Sequence, residues 1–215
     1  MGVFVCIFAG KLFNLATGGY YFRSLPLPYK LVLFLTAAAL LFECYGYYLG
    51  VHLHKDNSWL FNIYILVDAW VLGVAAIYLM NVSKKYLFFA ALIAHTIIWC
   101  VNVCMGSIYT FANFGLVSDF ILLTAMYLTV LISNSVFKKS SILSQPVFWL
   151  SAPIIFCSAC AIPYFGLHHY LISNAPALAS KLISINMFLD IIRYPLVAIS
   201  FILLGRQKQA VLKAA

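Results

Sequence analysis

Apolar residues run through the chain in long stretches, broken by short polar segments at fairly even spacing. Stretches of about 20 such residues, each enough for a helix to cross the ~30 Å hydrocarbon layer, fall near 2–22, 31–51, 59–80, 86–105, 114–133, 147–169 and 182–204. The pattern predicts an all-α fold: a polytopic bundle of seven transmembrane helices forming a single domain over 1–205, followed by a short basic tail over 206–215. Pro26, Pro28 and Pro146 stand just ahead of apolar runs, where a residue without a backbone donor is tolerated in the first helical turn. The connections are short, so successive helices pack antiparallel. The same order allows spans 1–3 and 5–7 to be parallel repeats, with span 4 as the linker.

Charge assigns the two sides. Arg23 and Lys30 lie between spans 1 and 2, Lys84 and Lys85 between 3 and 4, Lys138 and Lys139 between 5 and 6, and Arg206, Lys208 and Lys213 after span 7. The other connections carry only Lys55 and Asp56, with Lys181 at the start of span 7. Positive charge gathers on the cytoplasmic side, which places the N-terminus outside and the C-terminus in the cytoplasm. An odd number of spans requires such opposite ends. The first run lacks a basic leading region and has Lys11 where a signal sequence would stay apolar, so it is expected to be a retained helix.

Composition then removes whole classes. Of the 215 residues 65% are hydrophobic and 8% charged, against about a quarter charged in a soluble domain. Within these residues seven spans leave no room for a soluble catalytic domain, so activity is expected in the bundle or in a partner. The net charge of +8 is spread over alternate connections rather than gathered in a patch, so nucleic acid is not an expected partner. The six cysteines all fall within spans and imply no disulfide framework.

The informative residues are polar ones inside the spans: Lys11, Glu43, Asp68, His95, Asp119, Asp190 and Arg193. A charged side chain near the bilayer centre costs about 2.5–3.5 kcal/mol on insertion scales, so such groups face the protein interior and pair. Helical spacing adds companions on the same faces: Asn14 to Lys11, Tyr64 to Asp68, Trp99 and Asn102 to His95, and Asn186 to Asp190 and Arg193. Span 6 offers Ser151, Ser158 and Pro153 but no charge. A ring of helices around a polar interior is expected, with Asp190 paired to Arg193 one turn away. Pro195, just below, leaves the Ile191 carbonyl without its helical donor and marks a flexible point.

Within this set four carboxylates face two permanent cations, an excess of two negative charges before His95 is considered. An uncompensated buried carboxylate takes up a proton or attracts a cation. No cofactor is predicted, but a bound sodium or zinc ion, or a cationic ligand, would settle the excess. His52, His54, His168 and His169 at span ends, with Asp119 or Glu43, form the conceivable zinc set. The bland alternative is that they are interfacial histidines. Cys157 and Cys160 sit mid-span rather than at a helix start, which does not suit a redox pair. No phosphate-binding loop or nucleophile elbow is present, and Arg193 stands where a retinal protein needs a lysine.

The stretches "NSWLFNIYILVD" (57–68) and "QPVFWLSAPIIF" (145–156), with "PLPYKL" before span 2, resemble a family of small uncharacterised seven-helix membrane proteins common in Bacteroidetes-type bacteria. The resemblance implies a bacterial inner (cytoplasmic) membrane and no particular activity.

Three function classes fit. A receptor or sensor module would bind a small molecule or cation in a polar pocket open toward the outer face and signal through a separate cytoplasmic protein. A transporter would couple a small solute to protons or sodium through the same acids. An intramembrane lipid hydrolase, with or without zinc, is the enzymatic alternative, and catalysis is the lesser expectation. The charge excess predicts at least one protonated or cation-paired acid at neutral pH. Infrared spectra of the purified protein should show a protonated-carboxyl band or a bound cation; four ionised acids with neither would contradict it.

Overall fold

In the computed structural model, which describes residues 2–110, 112–138 and 141–214, the apolar runs form helices throughout. Lys139 of the basic connection and the side chains of His169 and Lys213 lie outside that description. The helices are α1 (Gly2–Tyr20), α2 (Leu27–Tyr47), α3 (Ser58–Leu79), α4 (Lys85–Met105), α5 (Asn113–Ser133), α6 (Pro146–Gly166), the short α7 (His168–Asn174) and α8 (Pro176–Ala214). Six, α2 to α6 and α8, are long and apolar enough among the described residues to cross a membrane, the property of an integral membrane protein.

Element boundaries follow local chemistry. α2 starts at Leu27 because Pro26 caps it in extended conformation and Pro28 suits its first turn. At its far end the helix widens to a π-turn over Tyr48–His52, where the Leu53 amide donates to the Tyr48 carbonyl. Just before that turn, the Asn57 amide donates to the Gly46 carbonyl at 3.0 Å. The Ser58 amide and hydroxyl donate to Asp56 Oδ1 at 2.9 and 2.8 Å, which lowers that carboxyl from its ordinary value and opens α3. The run expected over 147–169 ends sooner, at Gly166, shortly after Pro163 has removed a backbone donor inside the helix. His168 and His169 then begin α7. The last run is longer than expected: α8 passes unbroken through Pro195 and through the residues read as a tail.

Contacts between helices define a ring in the order α1, α2, α3, α5, α6, α8, closing back on α1. α4 stands outside it, packed on α3 and α5, with only Leu92 and His95 buried. The alternation of helices puts Arg23, Lys30, Lys84, Lys85, Lys138 and Arg206 at one end of the bundle, here called the basic end. The half nearer this end is filled solid: Tyr29, Leu72, Leu123, Met126, Tyr127, Leu150, Ile154 and Phe201 are all 2% exposed or less.

Between membrane helices apolar burial supplies little drive, so close packing and polar contacts hold the bundle. Asn62 is the clearest example. It is fully buried on α3, donates to the Ile108 and Thr110 carbonyls at 2.8 and 2.7 Å, and accepts from the Ala112 amide at 3.0 Å. One side chain thereby satisfies three backbone groups of the α4–α5 connection, which has few other partners for them. Replacing it, Asn62→Ala, should destabilise the protein by about 2–3 kcal/mol through those orphaned groups, read as a lower midpoint in thermal unfolding in detergent micelles.

Candidate functional site

Lys11 is the polar junction of the ring. Its side chain is 1% exposed, yet it carries the ion pair of the described residues, donating to Glu43 Oε1 on α2. Its Nζ also lies 5.0 Å from the centre of the Tyr194 ring on α8, a cation–π contact that ties a third helix. One turn along α1, Asn14 donates to the Tyr194 carbonyl at 3.0 Å. Gly10 lets α1 approach the proline site of α8, since a Cβ there would sit 3.5 Å from both the Ile191 carbonyl oxygen and Pro195 Cδ. The carbonyl that Pro195 deprives of its donor is therefore covered by α1.

Beside this junction, in the half away from the basic end, a cavity of about 510 Å³ opens between α2, α3, α5, α6 and α8. Glu43, Asp68, Asp119, Asn186, Asp190 and Arg193 all line it. The stripe of α8 predicted by its i, i+4, i+7 spacing thus faces one space together with acids from three other helices. Aromatic side chains make much of the remaining wall: Phe61 and Tyr64 from α3, Phe120 from α5, Phe165 from α6 and Tyr194 from α8.

The charges in this space are poorly matched among themselves. Lys11 offsets Glu43. Asp68 accepts one hydrogen bond, from the Tyr64 hydroxyl at 3.1 Å. Asp119 is 1% exposed and its Oδ1 has no hydrogen-bond partner among the described residues; its charge and that of Asp68 lie within electrostatic reach of each other. The expected pairing of Asp190 with Arg193 is not made: among the described residues no ion pair within 4.0 Å other than Lys11–Glu43 is found. Arg193 instead looks into the cavity, within electrostatic reach of Asp68 and Asp190. The Asn186 amide nitrogen is also buried without a partner among the described residues. Three carboxylates therefore share one guanidinium, and two negative charges remain uncompensated when all are ionised.

Other residues singled out by the sequence lie elsewhere. His95 is buried between α4 and α5, its Nδ1 2.8 Å from Ser118 Oγ. The Ser118 hydroxyl donates to the Gly115 carbonyl, so the imidazole is the donor to it. Asn102 Oδ1 accepts from the Gly115 amide at 3.1 Å and caps the start of α5, while Trp99 donates to the Asn62 carbonyl. A Cβ on Gly115 would come within 3.1 Å of Trp99, a tight contact that the close approach of α4 leaves little room for. The polar stripe of α4 thus seats that helix against α3 and α5 and does not join the cavity. His52 packs against the rings of Tyr47 and Tyr48, and His54 occupies a left-handed backbone position beyond the π-turn. His168 meets the Tyr164 ring edge to face and stacks on Phe165. Among the described residues no three His, Cys, Asp or Glu side chains gather as a metal-binding group.

Apart from Tyr64, the sequence did not mark the aromatic wall, and it set Cys157 aside as a redox residue without placing it at the cavity. Part of the signal was present, since Phe61 and Phe165 lie two turns from Asp68 and Ser158 on the same helix faces, whereas Phe120 directly follows Asp119 and shares no such spacing. In an apolar helix, however, a phenylalanine facing lipid and one facing a cavity read alike.

Breaking the junction one side at a time should be costly. Glu43→Leu leaves a charged, enclosed Lys11 and should cost about 3–5 kcal/mol, whereas Lys11→Met with Glu43→Leu should return to the parent stability or above; unfolding midpoints of the four proteins in micelles measure the cycle. Compared with protein-family models, curated proteins and solved structures, the chain matches none, so the cavity itself carries the functional argument.

Proposed function

We propose that the protein is a receptor-like membrane module that binds an organic cation in the acid-rich cavity. The observation that carries this reading is the set of three carboxylates, one of them an enclosed Asp119 with a bare oxygen, on an aromatic-walled space with one guanidinium. An ammonium group answers both features at once: it offsets the excess charge and lies favourably against aromatic faces. The volume, about 510 Å³, falls within the range of small-molecule sites and far exceeds what a bare sodium ion requires.

In this proposal α1 completes a seven-span bundle with its N-terminus outside and the basic end in the cytoplasm of a bacterial inner membrane. The cavity then faces outward, and the solid half closes the inner side. α8 carries the signal: the cavity residues Asp190 and Arg193 and the exposed Arg206 and Lys208 belong to one unbroken helix. A guest that draws Asp190 inward shifts that helix about Pro195, and a separate cytoplasmic protein reads the basic end. A second reading, coupled transport, has one observation in its favour. A space of about 10 Å³, close to one water, continues from Arg193 and Tyr194 toward the basic end beside Thr36.

Benzyltrimethylammonium is a suitable first probe. Added to purified protein at a hundredfold excess over its Kd, it should stabilise the fold by about 2.7 kcal/mol, and Asp68→Asn with Asp119→Asn should remove the shift. No shift with this or other organic ammonium ions sinks the proposal. Accumulation of the probe in proteoliposomes, driven by a proton gradient and lost in Asp68→Asn, would replace the receptor reading with transport.

A further inference from the structure

A second space of about 490 Å³ lies between α6 and α8, on the half of the bundle nearer the basic end. It is lined by apolar side chains, among them Phe148, Trp149, Ala152, Phe156 and Leu196. Phe156 is 60% exposed, so this groove opens sideways toward lipid rather than toward water. Three residues, Cys157, Leu189 and Arg193, line both the groove and the acid-rich cavity. The partition between the two spaces is therefore thin. Within it the Cys157 thiol donates to the Leu189 carbonyl at 3.6 Å, with Arg193 alongside.

Resting on the cation reading above, the geometry points to the class of guest: an amphiphile with an ammonium head and one long alkyl chain. The head sits among Asp68, Asp119 and Asp190. The chain passes between Cys157 and Arg193 and lies in the α6–α8 groove. Continuity argues for a single occupant, because the groove meets the charged cavity at its inner end and the bilayer along its side. A groove occupied only by bulk lipid would need no contact with the acid site. An anionic head does not fit, since at this junction one guanidinium faces an excess of carboxylates. A short ammonium ion fills the cavity but leaves the groove to lipid.

Trp149 makes the groove observable. In full-length protein in nanodiscs, with Trp59, Trp70 and Trp99 changed to Phe, dodecyltrimethylammonium brominated at its chain end should quench Trp149 with a saturable component. An excess of benzyltrimethylammonium should reverse that component, and Asp119→Asn should weaken it at least tenfold. Ala152→Phe, which fills the groove and leaves the cavity residues untouched, should abolish it while benzyltrimethylammonium still raises the unfolding midpoint. If the triple Phe background fails to fold, a diazirine at the chain end of the same amphiphile, used with the parent protein, should crosslink to residues of α6 between Trp149 and Phe156. Quenching merely proportional to amphiphile in the bilayer, or crosslinks elsewhere, with the short cation still bound, overturns the amphiphile assignment and leaves the cation site standing. Failure of both compounds to bind overturns both.

Discussion

A carboxylate taken out of water must find a cation, a proton or several hydrogen-bond donors, and this requirement organises the bundle. The half nearer the basic end meets it by avoidance, with a tight apolar fill and hydroxyl groups such as that of Tyr127, which donates to the Leu72 carbonyl. The opposite half cannot, because acids project from four of the ring helices. One of them, Glu43, is settled by Lys11 within the protein. The remaining three are gathered on a space large enough for a molecule, and the single guanidinium there does not close on any of them. Charge left open in this way is costly for a fold and useful for binding.

The same requirement explains which helices are indispensable to the site. α1 has a modest length and contributes no cavity wall of its own, yet Lys11 and Asn14 reach both α2 and α8. Without it Glu43 would add a fourth unmatched acid to the cavity. α4 is the opposite case, a long apolar helix whose polar stripe is spent wholly on holding itself to α3 and α5. His95, fully enclosed and titratable, looks from composition like part of the site and in the fold is a packing residue.

Much of this was legible in the sequence because helical periodicity fixes faces. The stripe Asn186, Asp190 and Arg193 had to share a side of α8, and the apolar length of the spans gave an all-helical membrane protein. Periodicity does not fix how a helix is rotated in the bundle or which helices neighbour each other. That is why α4 looked like a ring member through His95 and Asn102, and why Asp190 and Arg193 looked paired: one turn apart on a helix, two side chains can meet or can both turn toward a third space. The break at Gly166 and the unbroken course of α8 were likewise hidden, since a proline or glycine in an apolar run is compatible with either outcome. Asn62 gave no sign at all, because its partners are backbone groups more than forty residues away.

The closure of the ring has a consequence for how the protein is made. Lys11 finds Glu43 before α8 is made, since α1 and α2 are consecutive in the chain and leave the ribosome ahead of it. Asn14 must wait for Tyr194, 180 residues later. Until α8 arrives, the acids of α3 and α5 lie in an open arc without the wall that encloses them, exposed to lipid or to whatever assists insertion. The cavity thus forms only once α8 is in place, and truncation before α8 yields a protein with a hydrophobic exterior and a charged seam rather than a smaller version of the same bundle.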